Sequence, residues 1–206
     1  RRMRAPSTTQ NNIVQHKNAG GWRPPPPHTI QYNIIQHTMQ ESGGPFHHTI
    51  QFSTTYNAGA DNFWSFSNFG TTVVASNGED SPQKFVVGTS SAFADLGGSP
   101  PVFTFSAVIR DFLVVGRIKT VKNRVQWSGI NDVETWTSGT KQSDYQDLAD
   151  GGEITGIVGG EYGYIFQENQ ITRMDYVGGT TVFRFSVVSK NRGSIFAKAI
   201  AHVGKR

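Results

Sequence analysis

From about residue 61 onward, apolar residues recur in short runs, many of them alternating with polar residues and separated by turn signals. A period of two puts alternate side chains on opposite faces of a strand, so the pattern predicts strands rather than helices. The predicted strands are Asn62 to Phe69, Thr71 to Ser76, Val102 to Ile109, Phe112 to Ile118 and Asn123 to Ser128. A meander then follows through Ile154 to Val158, Gly163 to Gln167, Gln170 to Val177 and Thr180 to Val188. Turns are expected at Gly70, Arg110-Asp111, Gly159-Gly160, Glu168-Asn169 and Gly178-Gly179, with a hairpin turn at Asn77-Gly78, where both residues tolerate positive φ. Only the stretch Ser194 to Val203 (SIFAKAIAHV) has the texture of a helix.

Several runs resemble one another. Phe66 to Val74 overlays Ala107 to Val115, and both overlay Gly156 to Phe166, each being a strand, a tight turn and a strand. The offsets are about 41 and 49 residues, and a period of 40 to 50 with several strands per repeat is the signature of propeller blades. A β-sandwich would repeat its turn signals every 8 to 12 residues without this longer period. The expected fold is therefore all-β: a partial β-propeller of about three blade-like antiparallel repeats over residues 56–206. Residues 1–55 form a separate low-complexity or divergent segment.

That first segment is rich in Gln, Asn and His, carries Pro24 to Pro27, and repeats a short unit as His28-Thr29-Ile30-Gln31, His37-Thr38-Met39-Gln40 and His48-Thr49-Ile50-Gln51. Its apolar residues are too sparse for a core, so a lead-in of weak hairpins is expected. Its histidines lack metal-site spacing and have only Glu41 as a nearby carboxylate.

Composition changes the picture in two ways. The chain of 206 residues has no cysteine, which excludes disulfides, thiolate metal sites and Cys nucleophiles. Its net charge of +4 suggests nucleic acid until the charge is located. Of 19 basic and 15 acidic residues, five and one fall in residues 1–52, leaving 14 of each beyond them. One local basic group survives in the neutral part: Arg117, Lys119, Lys122 and Arg124. It reads either as a solvated hairpin connection or as a patch that meets DNA phosphates or a partner through charge alone. No apolar run approaches the roughly 20 residues of a membrane helix, and no membrane partner is expected. The chain opens on Arg1 and ends on Arg206, and a piece of a longer reading frame is expected.

Enzyme chemistry finds little support. Gly156 to Gly163 (GIVGGEYG) has glycines suited to an anion, but it lacks the first glycine of a dinucleotide loop and runs into a strand rather than a helix. A tight turn is the better reading. The acids Asp132, Glu134, Asp144, Asp147, Asp150 and Glu153 offer carboxylates, yet nothing in their spacing sets two across a sugar. Asp132 to Trp136 resembles the structural Asp-box turn, with Glu134 where a glycine is expected. Trp64, Trp127 and Trp136 are expected between blades or at their rims. Neither catalysis nor a cofactor is expected.

Two blocks carry a more specific resemblance. Asn123-Arg124-Val125-Gln126-Trp127-Ser128-Gly129-Ile130-Asn131-Asp132, closing on Glu134-Thr135-Trp136, resembles a stretch of the bacteriophage packaged-DNA stabilisation proteins, the tail accessory or head-to-tail nozzle family. So does Asp147 through Glu153 to Gly159-Gly160-Glu161-Tyr162-Gly163, continuing in Phe166-Gln167-Glu168 and Ile171 to Met174. Thr72 to Gly78 with Pro82-Gln83, and Ala92 to Leu96, are similar in the same order. The resemblance implies a virion protein of a short-tailed phage, located in the tail or neck. Its subunits would form a homo-oligomeric ring that contacts portal and tail-adaptor proteins and packaged double-stranded DNA. The competing expectation is a glycan-binding propeller module of a tail or cell-surface protein.

Overall fold

The computed structural model describes residues 33–35, 49–52, 56–57, 63–196 and 199–200. The fold is all-β, its strands gathered into three four-stranded antiparallel meanders with no α-helix among the described residues. The first sheet runs β3 (Ser65–Phe69), β4 (Thr72–Ser76), β5 (Gln83–Val86) and β6 (Ala92–Asp95). The second runs β7 (Phe103–Ile109), β8 (Phe112–Ile118), β9 (Arg124–Trp127) and β10 (Asp144–Asp147), and the third β11 (Ile154–Val158), β12 (Gly163–Gln167), β13 (Gln170–Gly178) and β14 (Val182–Lys190). In each sheet spatial order follows chain order, as in a propeller blade. Two strands of the N-terminal segment extend the first sheet: β1 (Asn33–Ile35) pairs antiparallel with β2 (Thr49–Phe52), which lies parallel to β6. Residues 33–35 and 49–52 thus join the first sheet across the expected boundary, the second of these strands holding Thr49, Ile50 and Gln51 of the third repeated unit. The first two units lie outside the described residues, as does the histidine cluster.

Alternation in β8 explains why the second sheet sits between the other two. Leu113 and Val115 turn toward the first sheet, in a cluster with Val74, Leu96, Phe103, Val133 and Trp136. Phe112 and Val114 turn the other way, toward Ile154, Ile165, Met174 and Phe183 of the third sheet. A strand buried on both faces reads as a continuous apolar run, which is the texture of FLVV.

Several expectations need correction. The pairs Phe69↔Thr72 and Ile109↔Phe112 are equivalent, so the first repeat offset is 40 and the sequence overlay slips by one residue. The third hairpin pairs Val158 with Tyr164, and its longer connection hides the register. Asn77-Gly78 does not close a two-residue hairpin: β4 and β5 are joined by 77–82, where the Asn77 side-chain carbonyl accepts the amides of Glu79 (3.0 Å) and Asp80 (2.9 Å). Beyond β14 the described residues 194–196 and 199–200 are not helical. The Ser194 amide donates to Gln167 O (2.9 Å), and Ile200 rests against Gly156, so packing on the third sheet overrides local preference.

Candidate functional site

The first strands of successive sheets lie side by side, and the sequence motifs converge on the two seams between sheets. In the seam between the second and third sheets, Gly160 N–H donates to Val108 O (2.9 Å) and its carbonyl accepts Arg110 N–H (2.9 Å), forming a parallel bridge beside Ile109. This approach makes glycine necessary at position 159, because a Cβ there would lie 2.1 Å from the Val108 carbonyl oxygen. At Gly163 a Cβ would lie 2.2 Å from Ile109 Cδ1. Glu161 closes the turn by accepting a 3.0 Å ion pair from Arg110. The glycines of GIVGGEYG therefore serve backbone docking between sheets. An anion-binding role is not needed to explain them.

Trp127 packs in the same seam, with its ring 5.1 Å from Phe183 in a T-shaped contact and 6.1 Å from Phe185, while Nε1 donates to Gln142 O (2.8 Å). Phe183 also meets Phe112 (5.0 Å) and Tyr176 (5.7 Å), and Arg110 lies over the Tyr176 ring at 5.3 Å. These contacts come from the β13–β14 hairpin, which runs past the end of β12 and reaches back over the second sheet. Sequence reasoning missed Tyr176 and Phe183. The signal was present in the unusual length of that hairpin and its aromatic run.

Trp136 packs in the other seam, one sheet earlier. It is buried in the cluster between the first and second sheets and donates from Nε1 to Val133 O (2.8 Å). The turn that presents it is built by Asp132, whose carboxylate accepts Glu134 N–H (2.9 Å), the Thr135 hydroxyl (2.9 Å) and Lys141 Nζ (2.6 Å). These bonds, that from Lys141 foremost, hold its carboxyl below the usual aspartate value. Asn131 enters the turn at φ 54° and donates its amide to Asp111 O (2.7 Å). Glu134 stands where the resembled turn has glycine because it reaches the first sheet, accepting from Lys84 Nζ (2.5 Å) and Gly97 N–H (3.1 Å). The hydrogen bond from Lys84 is the main cause of its lowered carboxyl pKa.

The four basic residues are brought together, but each faces an acid. Arg117 and Lys122 share Glu153 of the third sheet's lead-in, at 3.4 and 2.9 Å. Lys119 reaches the first sheet, where it meets the carboxylate and carbonyl of Glu79, both at 3.0 Å. Arg124 binds Asp147 in a two-pronged pair (2.6 and 2.8 Å) and stacks over Tyr145 at 3.9 Å. That pair lowers the Asp147 carboxyl and raises the guanidinium. The group is thus a set of clamps, two of them crossing seams. Asp147 and Glu153, noted in sequence only as candidate carboxylates, are its counter-charges.

Buried polar atoms without a partner are few among the described residues: Thr155 Oγ1 and Gln167 Oε1. Gln167 uses its amide nitrogen to bind Leu148 O (2.9 Å) and Gly152 O (2.8 Å), which ties down the return from the second sheet to the third. Among the described residues no group of three His, Asp or Glu is disposed to hold a metal ion. No protein-family model matches the chain, and no curated protein matches it either.

Proposed function

We propose that the chain is a structural virion protein of a short-tailed bacteriophage: a nozzle subunit that prolongs the portal channel and helps retain packaged double-stranded DNA. The reading is carried by one observation. In the two resembling blocks, Trp127, Trp136, Gly159, Gly160, Glu161 and Gly163 meet a neighbouring sheet, and Asn131 and Asp132 build the turn that presents Trp136. Such residues supply rigidity, which is what a channel wall under pressure from packaged DNA requires, and they perform no turnover.

In this reading the subunit belongs to a homo-oligomeric ring in the tail or neck, in contact with portal and tail-adaptor proteins. DNA is retained by a rigid barrier more than by the Arg117, Lys119, Lys122 and Arg124 group, whose charge is largely met by Glu79, Asp147 and Glu153. A glycan module needs exposed aromatic faces. The half-exposed Tyr145 and Tyr162 each already hold a guanidinium over the ring, at 3.9 and 4.0 Å, while Phe66 and Phe196 are the other exposed aromatic rings among the described residues.

Co-sedimentation of the purified chain with portal and tail-adaptor rings of short-tailed phages tests the proposal, together with nuclease protection of DNA in particles with and without the chain. Stable ring binding and improved protection are expected. Retention on a glycan array with no ring binding would overturn the nozzle reading in favour of the sugar-binding one.

A further inference from the structure

The connection from β4 to β5 is built on a chemically labile pair of residues. Gly78 sits at φ 80°, and a Cβ there would lie 2.8 Å from Thr104 Oγ1, so a larger residue both strains the backbone and meets the second sheet. Beside it the Asn77 side-chain carbonyl accepts the amides of Glu79 and Asp80, which shapes the turn. The two residues form the only Asn-Gly pair in the sequence. In such a pair no side chain hinders the glycine nitrogen from closing on the asparagine amide carbon.

The same side chain is gripped at its nitrogen. Asn77 Nδ2 donates to Asn57 O and to Asp80 Oδ2, both at 2.9 Å, and the Asp80 carboxylate accepts the Asn57 amide and Asn57 Nδ2, both at 2.6 Å. An aspartate at 77 has no proton for those two acceptors, so this clasp selects the amide. Asn77 is 8% exposed, and Gly78 N–H faces Ser76 Oγ at 3.4 Å, whose own proton goes to Phe103 O. Ring closure needs the amide group free to turn and the Gly78 nitrogen deprotonated, and the fold opposes both.

We propose that Asn77-Gly78 is a modification site: a deamidation site that the clasp of Asn57 and Asp80 keeps closed in the folded chain, and whose reaction opens that clasp irreversibly. The Gly78 nitrogen gives up its proton and bonds to Asn77 Cγ; the Cγ–Nδ2 bond breaks and the nitrogen leaves with a proton as ammonia. Water then adds to one of the two ring carbonyl carbons and cleaves its bond to the ring nitrogen, leaving aspartate or isoaspartate. Either product sets a carboxylate against Asn57 O and the Asp80 carboxylate, where two donated hydrogen bonds stood. Isoaspartate also reroutes the main chain through Cγ and so displaces the carbonyl that took the amides of Glu79 and Asp80. The inference goes beyond the nozzle reading and stands without it.

Peptide mapping by mass spectrometry, with an isoaspartate-specific methylation assay, follows position 77 over time in the full 206-residue chain at mildly alkaline pH. Conversion is expected to be about tenfold slower in the folded chain than in guanidinium, as the hold of one or two net hydrogen bonds implies. Asp80→Ala, verified as folded by circular dichroism, is expected to recover most of that factor while matching the wild type in guanidinium. Asn57→Ala, at an exposed position, removes the side-chain bond that steadies Asp80 and gives a smaller rise; it carries the test if Asp80→Ala does not fold. In the converted chain, and in Asn77→Asp, exchange of the Asn57 amide is expected to quicken. Equal rates in the folded chain and in guanidinium overturn the inference, as does a position 77 that stays intact in guanidinium. So do folded variants that react no faster than the wild type, and an Asn57 amide that stays protected after conversion.

Discussion

Glycine at position 159 offers the sharpest test of how the seams are held. Its backbone is not in the left-handed region, so alanine there meets no conformational penalty of its own. The added Cβ, however, would lie 2.1 Å from Val108 O and 2.9 Å from Val108 C. To reach an ordinary carbon–oxygen contact the two backbones must part by more than about 1 Å. That separation breaks the pair of hydrogen bonds between Gly160 and Val108 and between Arg110 and Gly160, each worth about 0.5–1.5 kcal/mol net. It also loosens the apolar contact beneath them, where Ile109 meets Gly163. Gly159→Ala is therefore expected to cost about 2–4 kcal/mol, the upper part coming from imperfect packing of a buried seam. Gly70→Ala is the matched control: it sits at φ 57° with nothing within 4 Å of the added Cβ, so only the left-handed strain of about 1–2 kcal/mol applies. Urea unfolding followed by tryptophan fluorescence measures both. Amide exchange at Arg110 and Gly160 should accelerate in the first variant and not in the second. If Gly159→Ala proved no more costly than Gly70→Ala, or left those two amides protected, the seam argument would fail.

Trp127→Ala removes a buried ring, its Nε1 bond to Gln142 and two aromatic contacts, and is expected to cost about 3–5 kcal/mol in the same unfolding assay. Replacing Glu79, Asp147 and Glu153 by uncharged isosteres uncovers Arg117, Lys119, Lys122 and Arg124. Non-specific DNA binding should then strengthen, with a steeper dependence on salt than the parent shows, and an unchanged salt slope would count against the clamp description. The carboxyls of Asp132, Glu134 and Asp147 are all held below their ordinary values, chiefly by hydrogen bonds from Lys141, Lys84 and Arg124. A depressed folded-state pKa gives stability that is complete above the unfolded value, near 4, and is lost as pH falls through the folded one. Stability should therefore fall below about pH 4, and Asp132→Asn should flatten that fall; an equal slope in parent and variant would refute the assignment.

What was legible in the sequence followed from short-range physics. Period-two runs and turn residues mark β3, β4, β7 to β9 and β11 to β14 to within a few residues, because pleat and turn chemistry act over neighbouring positions. The four-residue strands β5 (QKFV), β6 (AFAD) and β10 (DYQD) escaped notice, since runs so short show little period and are fixed as strands by the neighbours that pair with them. The basic group at 117–124 was visible, but its counter-charges were not. Glu79 lies 40 residues from Lys119, and no local rule links them.

The sequence by itself determined that the chain forms antiparallel sheets in repeats of about forty to fifty residues, because side-chain alternation and glycine freedom are properties of single strands and turns. Only the tertiary structure decided what the glycines, tryptophans and charges are for. Gly159 is restricted by a carbonyl at Val108, Trp127 by rings on β14 and Glu153 by cations from the sheet before it. Each of these constraints arises where one sheet closes on the next, and contacts between surfaces leave no periodic mark along either strand that makes them.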